Sequence, residues 1–482
     1  MNLEIKQAEK RAYYVELPES RENIHSTSDP IRETERRFPD NWRNNRRFII
    51  MGAGLGYVLQ KIQRQHPEPR ALVFEPHPEL LVQGQEMNLW EKDQFDDFQL
   101  IDPNQQDIVE QLAEFVSLEQ IQTTITIPWP KYQQQRKNYF EPVLERLESL
   151  KQFYRNNLRF LQNNGKQWLE NTRNNLKYIM NSHKIKTESL DGPVAIVAPG
   201  PSLDRQMEWL RTNREQLIVI STNTAGPCLE KQDIPVDLHV AYDADPIVLE
   251  DLKQCSINRL LFNPIVDPQI PAQIEAPLSF MGVKTEISNW ISTADFLNQF
   301  TGSSAITPTL MYWLDSRNVS PIYLLGCDFG SRFGRIYARG TYREQHRLRH
   351  VNRFSTLANW HIKNVSTSEG KLLSQRQWLN TLMQNSRSFS IPQPVPENWT
   401  GKVAPAVVDG EAGSIPFQKT NQREVKNWSE NQIKHLEGLR HEKQATPEWN
   451  QFYYWLEAIY DDPKTKLTKW IKAFENLVKE ME

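Results

Sequence analysis

Short apolar runs alternate with helical patterns through the middle of the chain. The runs are Pro193–Ala198, Leu217–Ile220, Leu238–Ala241, Arg259–Phe262 and Pro321–Gly326. Strands that are apolar along their whole length are buried on both faces, and their alternation with helices is typical of a doubly wound parallel sheet. The pattern therefore predicts an α/β domain over residues 186–390.

A separate unit of the same kind precedes this domain. An apolar strand at 46–51 leads into a turn containing Gly52, Gly54 and Gly56, followed by a helical stretch and a second strand at 71–75. This strand, glycine-rich turn, helix and strand form one nucleotide-fold βαβ unit. Further apolar residues at 100–101 and 121–127 extend the pattern until prolines interrupt it, which predicts an N-terminal domain over 1–135.

The rest of the chain is predicted to be helical or irregular. Residues 136–185 have apolar positions at helical spacing and are predicted to be a helical connector. Residues 391–420 are rich in Pro and Gly, which favours an ordered loop or linker over a strand. Residues 421–482 are again helical, and we expect these helices to pack on the central domain or on a second subunit in a homo-oligomer.

Composition restricts the classes of partner. The 482 residues carry a formal net charge of -3, so no global basic excess attracts nucleic acid. The three cysteines lie far apart, which favours neither a disulfide framework nor a zinc cluster. Because the sequence contains neither a signal peptide nor a run long enough for a membrane span, we expect a cytoplasmic protein.

The turn after the first central strand is the strongest candidate for chemistry. Gly200 and Pro201 fix a tight turn, and Ser202 stands at the predicted start of a helix, where its side chain is a suitable N-cap. Free amides at a helix start and the helix dipole both favour negative charge, and open α/β sheets bind ligands at the carboxyl ends of their strands. The sequence predicts a phosphate-facing turn at 198–202.

Other polar residues follow the later strands. Asn223 is predicted to hydrogen-bond a base or a ribose, although a role in the turn fits equally well. Asp237, Asp243 and Asp245 flank one strand and could hold a ribose or a metal ion, or cap a helix. Further candidates are a hydroxyl-rich helix start at 301–304 (Thr301, Gly302, Ser303, Ser304), Asp328 after the last apolar run, and a basic stretch that could grip a phosphate or a carboxylate (Arg332, Arg335, Arg339, Arg343).

Three of these segments, in this order, resemble one known group of proteins. The segments are 196–203, 234–237 with Asp243, and 322–329, preceded by a similar helical lead-in at 168–175. They resemble the central domain of the motility-associated-factor glycosyltransferases, which modify flagellin, and the related 6-hydroxymethylpterin pyrophosphokinase-like family. The resemblance covers roughly residues 165–385 and implies two Rossmann-like domains, the central one sialyltransferase-like.

The resemblance extends to bacterial sialyltransferases that use CMP-sugars. It implies that a CMP-activated donor would be lined by residues from four segments (Gly200, Pro201, Ser202, Asn223, Thr301, Gly302, Ser303, Asp328). In those enzymes a histidine removes the proton of the acceptor hydroxyl and tyrosines stabilise the departing phosphate. His361 and Tyr337 stand at comparable distances after Asp328, while His346 and His350 are alternative bases.

The function implied first is transfer of a sialic or pseudaminic type nonulosonic acid from a CMP-activated donor to protein hydroxyls, such as those of flagellin. The alternative is a pyrophosphokinase that transfers diphosphate from ATP to a pterin-like substrate, with Asp237, Asp243 or Asp328 holding Mg²⁺. For the N-terminal domain, Glu75 in a methyltransferase-like motif would hold the ribose of S-adenosylmethionine, or the domain is a scaffold.

Overall fold

The fold is described from a computed structural model of the chain. It describes residues 4–480 apart from residues 11, 18–21, 41, 105–107, 117–123, 187–189, 191, 285–288, 296, 302–304, 333, 368–387, 394, 396–401, 442–445 and 461. The chain divides into two compact units, Met1–Leu161 and Gln162–Glu482. The sheets and the buried cores of the two units are separate.

The first unit contains an antiparallel sheet and a parallel one. The antiparallel sheet has the order β1-β2-β3, and the parallel sheet has the order β6-β5-β4-β7. The strands are β1 (Glu4–Gln7), β2 (Tyr13–Leu17), β3 (Glu22–Ile24), β4 (Arg47–Met51), β5 (Arg70–Phe74), β6 (Asp97–Ile101) and β7 (Thr124–Ile127). The helices are α1 (Pro30–Glu35), α2 (Tyr57–Gln65), α3 (Pro78–Glu86), α4 (Ile108–Phe115), α5 (Pro130–Gln135) and α6 (Lys137–Asn175), the last continuing into the second unit.

The glycine-rich loop between β4 and α2 is closed by side chains of its own unit. Glu75 is buried and accepts hydrogen bonds from the amides of Ala53 and Gly54 at 2.7 and 2.8 Å. The other oxygen of Glu75 accepts from the Tyr132 hydroxyl at 2.6 Å, and His25 accepts from the Leu55 amide at 3.0 Å. The amides that a nucleotide-binding loop would offer to a phosphate are therefore already bonded within the protein.

The second unit is built on one large sheet. Its strands are β8 (His183–Ile185), β9 (Val194–Val197), β10 (Ile218–Thr222), β11 (Leu238–Ala241), β12 (Leu260–Phe262), β13 (Leu278–Lys284), β14 (Asn298–Thr301), β15 (Ile322–Leu325), β16 (Phe389–Ile391), β17 (Lys402–Val403) and β18 (Phe417–Lys419). The helices are α7 (Leu203–Thr212), α8 (Gly226–Glu230), α9 (Ile247–Leu252), α10 (Gln269–Gln273), α11 (Ile306–Asp315), α12 (Tyr342–Arg349), α13 (Leu357–Thr367), α14 (Gln422–Arg440), α15 (Pro447–Ile459) and α16 (Pro463–Lys479).

The sheet has the order β17-β16-β15-β9-β10-β11-β12-β13-β8-β18, with β14 beside β13, and its pairs are parallel except that β18 runs antiparallel to β8. From β9 the chain proceeds outward through β10, β11 and β12, and then returns to the other side of β9 with β15. The strand order therefore reverses between β9 and β15. Open α/β sheets bind ligands at such a reversal, beyond the carboxyl ends of the strands.

The predicted parallel sheet is thus present, with β9, β10, β11, β12 and β15 at the predicted apolar runs. The prediction that residues 391–420 favour a loop over a strand was wrong in part, because β17 and β18 lie there. Both are short edge strands of the sheet. An edge strand pairs with a neighbouring strand on one side only, so prolines close to it are tolerated. The antiparallel sheet β1-β2-β3 was not predicted, since such short strands carry too few alternating positions for a clear pattern.

The C-terminal region is helical as expected. Four apolar residues that recur at helical spacing in α16 are all buried (Leu467, Ile471, Phe474, Leu477). They pack near a group of aromatic rings in which Trp290 stacks on Trp449 at 5.0 Å and on Trp428 at 6.0 Å. Within the described part of the chain, no helix is both long and apolar enough to cross a membrane.

Candidate active site

A cavity of about 370 Å³ lies at the carboxyl edge of the large sheet, where the strand order reverses. The loops after β9, β10, β11 and β15 each contribute to its wall, as do the start of α11 and the segment 336–343. Among the residues predicted for the site, Gly200, Asn223 and Tyr337 line this cavity. Pro201, Ser202 and Asp328 do not line it: Pro201 and Ser202 follow Gly200 in its turn, and Asp328 bonds to Ser202 from the loop after β15.

Asp328 is the anion that occupies the start of α7. Its Oδ2 accepts hydrogen bonds from the Ser202 amide at 3.0 Å and from the Ser202 hydroxyl at 2.7 Å. Ser202 stands at the N-cap position, but its side chain makes no capping bond, which corrects the predicted role. The physical reason is that a buried carboxylate satisfies the helix start better than the hydroxyl does. Burial raises the pKa of Asp328, while its bonds with Ser202 act in the opposite direction.

The glycine at position 200 is required by the approach of two loops. The Gly200 amide donates to the Gly326 carbonyl at 2.8 Å, and the Ala338 amide donates to the Pro199 carbonyl at 2.7 Å. A side chain at 200 would overlap the Asp328 carboxylate and the Gly326 carbonyl. The loops after β9 and β15 are therefore joined directly beside the cavity.

The segment that carries Tyr337 is fixed to α7 by charge. Arg335 pairs with Asp204 at 2.8 Å and with Glu344 at 2.7 Å, and the Arg339 amide donates to Asp204 at 2.7 Å. Asp204 lies in the first turn of α7, where the helix dipole also favours its charge. These contacts hold the Tyr337 segment against the cavity, so part of the predicted basic stretch has a structural role.

A second polar network lies behind Asn223. Its amide nitrogen donates to the buried Asp251 at 2.8 Å, and the Thr224 hydroxyl donates to the same carboxylate oxygen at 3.1 Å. The Arg343 side chain lines the cavity, with Nε 3.7 Å from Asp251. Burial lowers the pKa of Arg343, but the electrostatic effects of Tyr337, Asp251, Asp245 and Asp243 together outweigh burial and raise this pKa overall. Arg343 therefore remains a cation in the wall of the cavity.

The predicted hydroxyl-rich helix start is described only in part. Thr301 ends β14, whereas Gly302, Ser303 and Ser304 lie outside the described residues. Helix α11 starts directly afterwards, and Ala305, Ile306 and Thr307 line the cavity. The N-cap residue of α11 is Ala305, whose side chain cannot accept a hydrogen bond from the first amides of the helix.

His361 lies in an adjoining cavity of about 190 Å³. Ile336 and Tyr337 line both cavities, so the two share one wall. The smaller cavity lies between α12, α13 and the segment 334–337, and Trp360 and Leu357 make its lining mostly apolar. The alternative bases line neither cavity: His346 lies on α12 and His350 directly follows it, and their rings meet edge to face at 4.8 Å.

The predicted acidic residues are separated by the sheet. Asp237 precedes β11, at the edge opposite the cavity, where it accepts from Arg214 at 2.9 Å and from the Val219 amide at 2.7 Å. Asp243 follows β11 and lines the cavity. Across the part of the chain that the structure describes, no three His, Cys, Asp or Glu side chains are close enough to hold a metal ion.

The helical lead-in of the resemblance also reaches this edge of the sheet. Asn171 donates to the Ile265 carbonyl at 2.8 Å, and Asn175 donates to the carbonyls of Pro264 and Val266 at 2.7 and 2.8 Å. The end of α6 therefore supports the loop after β12. Asp251 was not singled out from the sequence, although a carboxylate among the buried apolar positions of α9 was the signal that could have identified it.

Comparison with known proteins agrees with this architecture. Residues 166–333 match the family described as 6-hydroxymethylpterin diphosphokinase MptE-like. The structure of a Maf glycosyltransferase from Magnetospirillum magneticum AMB-1 is similar, with a TM-score of 0.54 and 13% identity over 100% of this chain and 91% of that one. Curated proteins show no significant match. The resemblance drawn from the sequence is thus confirmed on both counts: residues 166–333 match the MptE-like family, and the whole chain shares the fold of a Maf glycosyltransferase.

Proposed function

We propose that the chain is a glycosyltransferase that transfers a nonulosonic acid of the sialic or pseudaminic type from a CMP-activated donor to a protein hydroxyl. The observation that carries this proposal is the pair of adjoining cavities at the reversal of the strand order. One cavity contains Gly200, Asn223 and Arg343, the other contains His361, and Tyr337 stands between them. The fold shared with a Maf glycosyltransferase supports the same assignment.

In this proposal the donor occupies the larger cavity. The turn at Gly200 and the amide of Asn223 border the nucleoside, and the phosphate lies between Arg343 and the start of α11. The start of α7 is a poorer place for the phosphate, because Asp328 already occupies it. A guanidinium and the amides of Ile306 and Thr307 in the first turn of α11 are both suited to a phosphate.

The reaction needs a base and a stabilised leaving group. His361 would take the proton of the acceptor hydroxyl while the hydroxyl oxygen bonds to the anomeric carbon of the donor sugar. The bond between that carbon and the phosphate oxygen breaks, and CMP departs with the electron pair. Tyr337 would donate a hydrogen bond to the departing phosphate, which bears the developing charge. Flagellin is the acceptor suggested by the sequence resemblance.

The first test is the thermal unfolding of the full chain with CMP. A ligand at about a hundred times its Kd stabilises the folded state by about 2.7 kcal/mol, which is a measurable shift in Tm. Arg343→Ala should reduce the shift. Arg339→Ala is the matched control, because Arg339 is largely exposed and does not line the cavity. Saturating CMP without any shift of the wild-type Tm would refute the proposal.

The second candidate is a pyrophosphokinase that transfers the terminal diphosphate of ATP to a hydroxymethylpterin-like alcohol. The match of residues 166–333 to an MptE-like family favours it. Mg²⁺ would then rest on Asp243 and the ATP phosphates, since Asp237 lies at the other edge of the sheet and Asp328 is bonded to Ser202. A Tm shift by ATP that requires Mg²⁺, together with none by CMP, would establish this candidate instead.

A further inference from the structure

The helices that enclose His361 carry an unusual combination of exposed side chains. Besides Arg343, whose side chain lines the larger cavity, residues 342–363 contain four arginine or lysine residues and one acidic residue, in a chain whose net charge is negative. Four large apolar side chains on the same segment are well exposed: Phe354 (79%), Ile362 (69%), Leu348 (49%) and Leu357 (45%). Exposed apolar groups that cluster among charges mark an interaction surface.

The cations lie close to the aromatic and apolar groups of this surface. The Arg353 guanidinium lies 4.6 Å from the ring centre of Phe354, and Arg347 lies 4.9 Å from the ring centre of Tyr337. The acidic residue Glu344 is paired with Arg335 and does not offset the positive charge of α12. The surface therefore favours a partner that has both negative charge and apolar side chains.

Its position relates this surface to the proposed reaction. Leu348 and Leu357 line the same cavity as His361, and that cavity shares Tyr337 with the larger one. A segment bound along α12 and α13 would reach the imidazole with one of its own side chains. We infer that α12 and α13 are the docking surface for the acceptor, an inference that rests on the proposed function. The acceptor would be a protein segment that carries acidic and apolar residues beside the reacting Ser or Thr hydroxyl.

The test uses the full chain and two labelled peptides. One twelve-residue peptide contains Ser, Leu and Glu in equal numbers, and the other has Lys in place of Glu. Fluorescence anisotropy at low salt should show binding of the Glu peptide and much weaker binding of the Lys peptide. Arg349→Glu with Arg353→Glu should weaken binding of the Glu peptide about tenfold, and added salt should weaken it as well. Phe354→Ser should weaken it without changing the charge.

The matched control is Lys434→Glu with Arg440→Glu, which makes the same change of charge at two exposed positions of α14 and should leave peptide binding unchanged. Equal binding by wild type and the Arg349/Arg353 variant, or equal binding of both peptides, would overturn the inference. So would association with vesicles of phosphatidylglycerol and phosphatidylcholine in place of the Glu peptide. The CMP shift should persist in the Arg349/Arg353 variant, so loss of peptide binding is distinguishable from failure of the proposed function.

Discussion

The Asp328 carboxylate holds Ser202 by two hydrogen bonds, at 3.0 Å to the amide and at 2.7 Å to the hydroxyl. The sequence predicts that this turn faces a phosphate, and in the structure a carboxylate of the protein itself bonds to it. This arrangement joins the loops after β9 and β15 across the reversal of the sheet. Ser202 and Asp328 therefore support the wall of the larger cavity, while Gly200 and Asn223 line it.

We predict that Ser202→Ala lowers stability and leaves CMP binding within about twofold of wild type. The hydroxyl is fully buried and bonds to Asp328, so its loss should reduce the free energy of unfolding by about 1–2 kcal/mol. Chemical denaturation and titration with CMP measure the two effects. Ser429→Ala is the control for loss of a buried hydroxyl away from the cavity, because Ser429 bonds to the Val425 carbonyl. Loss of CMP binding at unchanged stability would instead make Ser202 a ligand group.

Gly334→Ala should abolish transfer of the sugar to the acceptor without weakening the binding of CMP. Gly334 has a φ of +72°, and an added Cβ would lie 2.5 Å from Cβ and 2.8 Å from Nδ1 of His361. The imidazole would have to move, and misplacement of a base by an ångström costs about a hundredfold in rate. The two measurements are the rate of transfer to an acceptor, which should fall, and the Tm shift with CMP, which should remain.

Gly340→Ala is the matched control for that change. Gly340 also has a positive φ, +87°, but the nearest atoms to an added Cβ lie 3.6 Å away. It therefore introduces the same kind of backbone strain without a displaced histidine. If both variants lose transfer to the same extent, the effect comes from strain in the loop, and His361 loses its proposed role.

The parallel sheet and its ligand-binding edge could be predicted because continuous apolar runs and glycine turns are local signals. The pairing of Ser202 with Asp328 could not, since the two residues are distant in sequence and either could serve a ligand alone. Asn223 is a similar case: the sequence allows its side chain a bond to a base or a ribose, or a role in the turn, and it does not reveal that Nδ2 donates to Asp251. Local patterns locate polar groups at the edge of a sheet, but only tertiary packing decides which of them bond to each other.

The closed glycine-rich loop of the first unit leads to a further prediction. Glu75→Ala would leave the buried amides of Ala53 and Gly54 without an acceptor, and we expect a loss of about 3 kcal/mol or more. Tyr132→Phe removes one bond to the same carboxylate and should cost less. S-adenosylmethionine should leave the wild-type Tm unchanged. A shift that Glu75→Ala abolishes would show that the loop opens to a nucleotide after all.

The stability of the first unit should depend on pH through His25. Burial, with a smaller contribution from Arg37, lowers the pKa of His25 to about 3, whereas an unfolded histidine titrates near pH 6.5. Below that value the unfolded chain binds a proton that the folded protein excludes, so stability is lost as the pH falls from about 6.5 towards 3. The loss should reach about 1.4 kcal/mol per pH unit.

His25→Gln removes the titrating group and should flatten this part of the profile of unfolding free energy against pH. His441→Gln, at an exposed position, should leave the profile unchanged. Parallel profiles for wild type and His25→Gln between pH 7 and pH 4.5 would show that His25 is protonated in the folded state, and the bond from the Leu55 amide could not then persist.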